Sequence, residues 1–296
     1  MALAALSGDE QCIIFSQLCN VLDTRVAVAF SSTNSEVRAV TLAQRQQLKA
    51  DNEVAAALCR KMGIRSCKEL REAKSVRYLC KGLSVDDLAT LGTLSSVLPA
   101  LESLYLFEPT ADGVQRLAER LGAGALPAVT LLCLDGMYVV DAGASALAAA
   151  LGRGAMPRLK ILGLNSAAIG DVGLVALAPA LRRLPALKHL RLNGNPFGDE
   201  GLAALVAPPP PPAGAPPPPT GVLAKLKWLG LGCTQVTDAG CAALAAALDG
   251  GALPALDRLF LDCIPARGAS KAAVTEALAK SRALAQLRMC TRQSTK

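Results

Sequence analysis

At 296 residues, with 52% apolar side chains and a net charge of +7, the chain is long enough for one extended core and a small additional domain. No stretch approaches the ~20 consecutive apolar residues that cross a bilayer, so no membrane partner is expected. One histidine and ten cysteines, none in a C-x-x-C pair, match no usual zinc spacing, and no cofactor is expected.

The chain opens on Met1 to Gln11 without a basic region and meets acid at Asp9, which predicts no signal peptide and a cytosolic or nuclear setting. Residues 6–38 carry short apolar helical stripes. The first uses Ile13, Ile14, Leu18, Val21 and Leu22; Asp23 and Thr24 break it, and Val26 to Phe30 begin another. The acidic start, the Ile14-Phe15-x-x-Leu18 core and the Leu22-Asp23-x-Arg25 turn resemble an F-box. That resemblance implies docking of a Skp1-type adaptor through Ile14, Phe15, Leu18 and Leu22, with the rest of the chain holding a substrate for ubiquitylation. The opening Leu-Pro of that family is Leu6-Ser7 here, and its third-helix Trp is missing. The alternative reading of the same residues is a small helical cap. Residues 40–62 continue as helix with Leu42, Leu48, Val54 and Leu58 on one side, and Gly63 reads as its C-cap, closing a first domain at 1–63.

Residues 64–97 form a basic segment followed by a worn repeat. Eight cations between Arg60 and Lys81 face only Glu69 and Glu72. Such a run can meet a phosphate backbone. Without stacking aromatics beyond Tyr78, and with Ser66-x-x-Glu69 as a capping box, it reads as a solvated helix face, and nucleic acid is not the expected partner. Val76 and Leu79 read as strand positions one and four of a capping unit, 25 residues before Leu101.

From residue 98 onward one unit recurs. Its openings are Leu101, Val129, Leu159, Leu187, Leu226 and Leu256, with a truncated copy at Leu284–Met289 that opens on Leu287; the steps are 28, 30, 28, 39, 30 and 31 residues. Each copy has an L-x-x-L-x-L-like strand, an Asp-x-Gly-like turn and an alanine–leucine run. Leucines four and six of the strand point to one side, and those of the run make one helical stripe. The Asp is expected to accept from the free N–H groups opening its helix. A lone strand and helix cannot bury both faces, whereas stacked copies can. The fold class is therefore α/β, a leucine-rich repeat solenoid with parallel strands inside, helices outside and a small all-α N-terminal domain. At 28–31 residues with this grammar, the region resembles the ribonuclease-inhibitor type of leucine-rich repeat. That family's Asn or Cys at position nine appears only as Asn195; the other copies have Pro109, Met137, Ala167, Thr234 and Ile264.

The step of 39 contains a proline-rich insertion, Pro208 to Pro219, which must leave the solenoid because proline cannot continue a helix. It reads as a tolerated loop or as a ligand for a polyproline-binding domain. Cys233 and Cys263 share one position of neighbouring repeats and read as small buried thiols.

No phosphate loop, nucleophile elbow or H-E-x-x-H motif is present, and carboxylates fall at helix starts, so a non-enzymatic protein is expected. Binding has candidates. Strand residues alternating with the buried leucines face the concave side. They include Tyr105, Phe107, His189, Arg191, Trp228, Arg258 and Phe260, around an apolar middle of Leu131, Cys133 and Ile161. Trp, Tyr and Arg on such a surface anchor interfaces, and the central patch of His189, Arg191, Trp228, Arg258 and Phe260 is the expected hot spot. The expected function is therefore a protein-interaction module working through its concave face. The alternatives are the adaptor-docked substrate receptor, and a small-GTPase regulator, since Ran GTPase-activating proteins share the repeat type.

Overall fold

The computed structural model describes residues 6–78, 82–107, 112–206 and 223–293, with side chains through residue 283. Seven short parallel strands form one sheet in chain order: β1 Ser75–Tyr78, β2 Ser103–Leu106, β3 Leu131–Cys133, β4 Ile161–Gly163, β5 His189–Arg191, β6 Trp228–Gly230 and β7 Arg258–Phe260. Helices cover their backs: α6 Val85–Leu94, α7 Gly113–Arg120, α8 Val140–Gly152, α9 Asp171–Arg183, α10 Asp199–Val206, α11 Asp238–Asp249 and α12 Gly268–Gln293. The N-terminal region adds α1 Gly8–Leu18, α2 Arg25–Ser31, α3 Ser35–Val40, α4 Leu42–Lys61 and α5 Cys67–Glu72. The molecule is an α/β repeat solenoid.

Leucines at positions one, four and six of each unit carry the core. Leu159, Leu162 and Leu164 are fully buried, and so are Leu174, Leu177 and Leu181 of α9 behind them. Each such side chain contributes about 1.5–3 kcal/mol, and one continuous cluster runs from Leu22 to Leu278.

Two structural ladders hold the units in step. The turn aspartates do not cap their own helices, as the sequence pattern suggested; each caps the helix of the next unit. Asp141 Oδ1 accepts from the backbone N–H of Gly170 (2.7 Å) and Gly173 (3.0 Å) at the start of α9. Asp171 does the same for Gly198 and Gly201 of α10, Asp199 for Thr237 before α11, and Asp238 for Arg267 before α12. The glycine two residues after the aspartate follows from this. A Cβ at Gly201 would lie 2.9 Å from Asp171 Oδ1, and one at Gly173 would press on Asp141 Oδ1. The second device is Asn195, 1% exposed. Its Oδ1 accepts from Ala167 and Ile169 N–H at 3.0 Å each, and its Nδ2 donates to the carbonyls of Leu164 (2.7 Å) and Leu192 (2.9 Å). Met137, Ala167 and Ile264 fill the equivalent place with apolar volume.

β1 pairs Val76 with Leu104 and Tyr78 with Leu106. Val76 is thus position four of a full 28-residue unit, and Tyr78 stands where a leucine would be. In α4 the buried face is Leu48, Ala55, Leu58 and Cys59, while Leu42 and Val54 are exposed. The expected copy at Leu284–Met289 is the continuation of α12, because no proline lead-in stops the helix. Cys233 and Cys263 are exposed. The proline-rich insertion and Leu79 lie outside the described residues.

The N-terminal helices begin with a complete capping box, Ser7 with Glu10. Phe15, Ala27, Phe30, Val37 and Leu48 form a small separate core. Asp23 bridges Arg25 (2.8 Å) and Arg71 of α5 (2.9 Å), tying this core to the first repeat, and the Arg25 hydrogen bond holds its carboxyl well below the usual range. Lys61 of α4 pairs with Asp87 of α6 at 2.6 Å, while Leu58 and Cys59 join the solenoid core.

Candidate functional site

The alternation within each short strand divides its residues cleanly. Position four turns toward the helices, buried in β1 to β6 and half-buried as Leu259 in β7, and positions three and five face the concave side. Register then assembles rows across units. His189, Trp228 and Arg258 are adjacent on β5, β6 and β7, as are Arg191, Gly230 and Phe260. Five of the seven residues singled out on the strands therefore form one patch. Tyr105 and Phe107 belong to a separate one at the other end of the sheet, with the Arg77 guanidinium 4.5 Å above the Tyr105 ring.

Within the main patch, Trp228 and Phe260 stack with ring centroids 5.0 Å apart at 37°, and the Arg191 guanidinium lies 5.7 Å from the Trp228 ring centre. Such contacts hold the rings in one pose at ~0.5–1.5 kcal/mol each. Gly230 makes room: a Cβ there would come within 2.6 Å of the Trp228 ring. Phe260 remains 38% exposed.

Cations dominate the electrostatics, with Asp257 beside Arg258 (4.0 Å) as the acidic neighbour. His189 is pushed below the ordinary imidazole range, first by burial and then by Arg191, Lys188, Lys227 and Arg258. At neutral pH it is a neutral donor and acceptor in a field of four cations. Sequence reasoning missed part of this field. Lys160, Lys188 and Lys227 occupy position two of three successive units, just before β4, β5 and β6, and none of them is in an ion pair among the described residues. Aligning the copies and reading down position two would have found them.

The residues beyond this row serve the fold. Asp135, Asn165 and Asn193 form a ladder in which each side-chain oxygen accepts the next unit's N–H, ending at Gly232 (2.8–3.0 Å). In the middle of the face Leu131 and Ile161 are half-buried, and burial pushes the Cys133 thiol up to about 11.

At the other end of the chain, Phe15 and Leu22 are interior residues, 0% and 3% exposed, and offer no outward surface in this arrangement. Ile14 and Leu18 are half-buried. The apolar side chains facing outward there are Ile13, Val26, Val28, Val40 and Leu42. Val28 and Leu42 line an open groove of about 330 Å³ with Arg38, Arg45 and Lys49. Among the described residues there is no cluster of side chains able to hold a metal ion and no helix long and apolar enough to cross a membrane.

A family model described as a leucine-rich repeat matches residues 156–178 and 184–206, the units of β4 and β5 with their helices. No curated protein matches the sequence. Among solved structures, the chain is similar to leiomodin-1 actin-binding site 2, at 13% identity and a TM-score of 0.43 over 63% of this chain and 98% of that one. It is similar to the tropomodulin C-terminal domain of Caenorhabditis elegans, at 12% identity and 0.39 over 71% and 99%. A third likeness is to the yeast Rad7 and Elc1 complex, at 15% identity and 0.37 over 82% and 76%.

Proposed function

We propose that the chain is a non-enzymatic protein-interaction module that holds an acidic segment of a protein partner across β5–β7. One observation carries the reading: the Trp228–Phe260 stack sits among Lys188, His189, Arg191, Lys227 and Arg258, with only cations acting on the imidazole. Rigid aromatics supply apolar anchorage, and Lys188, Arg191 and Lys227 beside them, free of ion pairs among the described residues, with Arg258 held only loosely by Asp257 at 4.0 Å, select a carboxylate-rich sequence. Full outer helices and unit lengths of 28–31 residues support placing the repeats in the ribonuclease-inhibitor type.

The test is binding of an acidic peptide array to the full chain, against Arg191→Glu/Arg258→Glu on the inner face and Val172→Glu on exposed α9. The reading expects acidic peptides bearing an apolar anchor to bind, to weaken with salt, and to lose at least about tenfold with the inner-face change only. Equal binding by the inner-face variant, or stronger binding of single-stranded RNA at the same patch, would remove it.

A second reading rests on a different observation, the outward apolar side chains of α1–α4 beside the basic groove. We propose this region as the adaptor-docking part of an F-box-type substrate receptor, contacted through Ile13, Ile14, Leu18 and Leu42. Co-purification with a Skp1-type adaptor, abolished by Ile13→Asp/Leu42→Asp while the chain stays folded, is the expected result. No adaptor bound to the folded parent leaves these helices as a cap.

A further inference from the structure

We propose that Cys233 and Cys263 are an oxidant-sensitive dithiol, a modification site on the rim of the concave face that closes to a disulfide across two repeats. The inference does not depend on the partner read above. Both cysteines occupy position eight of their units, immediately after the strand and its flanking residues. That position is left-handed in successive units: Gly136 at φ 74°, Ser166 at 50°, Gly194 at 72°, Cys233 at 55° and Cys263 at 56°. A side chain there is strained by roughly 1–2 kcal/mol, which glycine avoids. Two adjacent units nevertheless place cysteine at it.

Stacking brings the two sulfurs together. The Cys233 N–H donates to the Asp262 carbonyl at 2.7 Å, repeating the bonds from Gly136 to Asn165 and from Ser166 to Asn193. Residues at position eight thus follow the strand spacing of ~4.8 Å, inside the 4.4–6.8 Å between Cα atoms that a disulfide uses. Side chains at this position also point at one another: a Cβ built on Gly194 would lie 2.7 Å from Ser166 Oγ. The neighbouring Cys263 thiol holds the Cys233 pKa above its ordinary value, and both residues are exposed. Among the described residues Cys59 and Cys67 are also neighbours, but they differ in access. Cys59 is 1% exposed, and its burial pushes it up to about 12.

Hydrogen peroxide supplies the oxidant. One thiol takes an oxygen atom to become a sulfenic acid and releases water. The other attacks that sulfur, the S–O bond breaks, and a second water leaves as the S–S bond forms. Two thiols are oxidised and one peroxide is reduced. The bond would tie together the ends of β6 and β7, the strands that carry Trp228 and Phe260.

The experiment treats the full native chain with one equivalent of peroxide, blocks remaining thiols with iodoacetamide, and digests with trypsin and an Asp-specific protease. Cleavage before Asp238 separates Cys233 from Cys241. The expected result is loss of two of the ten free thiols and one cross-linked pair, residues 228–237 with 262–267, lighter by two hydrogens than the sum of its parts. Phenylarsine oxide, which needs two close thiols, should bind one equivalent to the parent and none at this site in Cys233→Ser or Cys263→Ser. Cys233 and Cys263 both fully alkylated after oxidation, or a link formed instead by Cys59 and Cys67, overturns the proposal.

Discussion

At the scale of single residues, the side chains that matter most to the solenoid are short polar ones. Asn195 makes four hydrogen bonds to backbone groups of two successive loops while almost wholly buried. Asn195→Ala leaves those groups without partners and is expected to destabilise the fold by about 3 kcal/mol, read as a lowered denaturation midpoint; a change under ~1 kcal/mol would mean that water replaces the amide. The aspartate–glycine pairs make a different prediction. Gly173→Ala drives a methyl into Asp141, and Asp141→Ala leaves the Gly170 and Gly173 N–H groups unpaired. Each alone should cost roughly 1–3 kcal/mol. Together they should cost less than the two separately, because removing the carboxylate removes the closest of the methyl's contacts and leaves Asp141 Cα and Ile169 Cγ2 at 3.0 Å. An additive double-mutant cycle would show that the close approach is not the reason for the glycine.

At the scale of elements, the caps respond to acid. The backbone N–H of Arg267 is the main cause of Asp238's lowered pKa. A depressed folded value means that this carboxylate adds stability above its unfolded pKa of ~3.9 and loses it as pH falls through the folded one. Asp238→Asn should therefore lower the melting temperature at pH 7 and approach the parent below about pH 4. A deficit that does not change between pH 7 and pH 3 would assign the loss to something other than charge. Elements were legible in the sequence where two periods coincide. Leu159-x-x-Leu162-x-Leu164 followed by Leu174, Leu177 and Leu181 gives strand and helix together, and both are there. They were less legible where one residue type fits two structures. Leu284 and Leu287 are three apart, which suits a helix as well as a repeat opening, and α12 runs through them. Val76 was misregistered because Tyr78 fills a leucine position with an aromatic. The Asp-x-Gly turns were legible as helix starts, but a linear sequence cannot show that the carboxylate reaches into the following unit.

At the scale of the whole molecule, the concave candidates could be read from strand alternation, since position parity alone decides which side chains face inward. The grouping of His189, Arg191, Trp228, Arg258 and Phe260 could be read as well, because unit order alone makes β5, β6 and β7 neighbours, and they pair directly across the 39-residue step. The N-terminal candidates fared differently. Spacing marked Phe15 and Leu22 as apolar and helical, but not which of several apolar faces turns inward among packed short helices. Phe15, Ala27, Phe30 and Val37 make their own core with Leu48 of α4, whereas Leu22 and, from α4, Ala55, Leu58 and Cys59 belong to the solenoid cluster. Deleting residues 1–40 should therefore leave cooperative unfolding of the repeats, and deleting 1–63 should abolish it. Calorimetry separates the cases, and loss of the transition on the shorter deletion would make the whole N-terminal region one unit with the repeats.

The aspartate ladder also gives the solenoid a direction that its near-identical units would not otherwise have. Asp141, Asp171, Asp199 and Asp238 each reach forward along the chain, so every helix from α9 to α12 begins on a group lent by its predecessor. Shortening the array from its C-terminal end strips no remaining helix of its first partner, whereas shortening it from the other side orphans the next helix in line. A chain emerging N-terminus first, as synthesis delivers it, thus meets each new helix with its acceptor already in place.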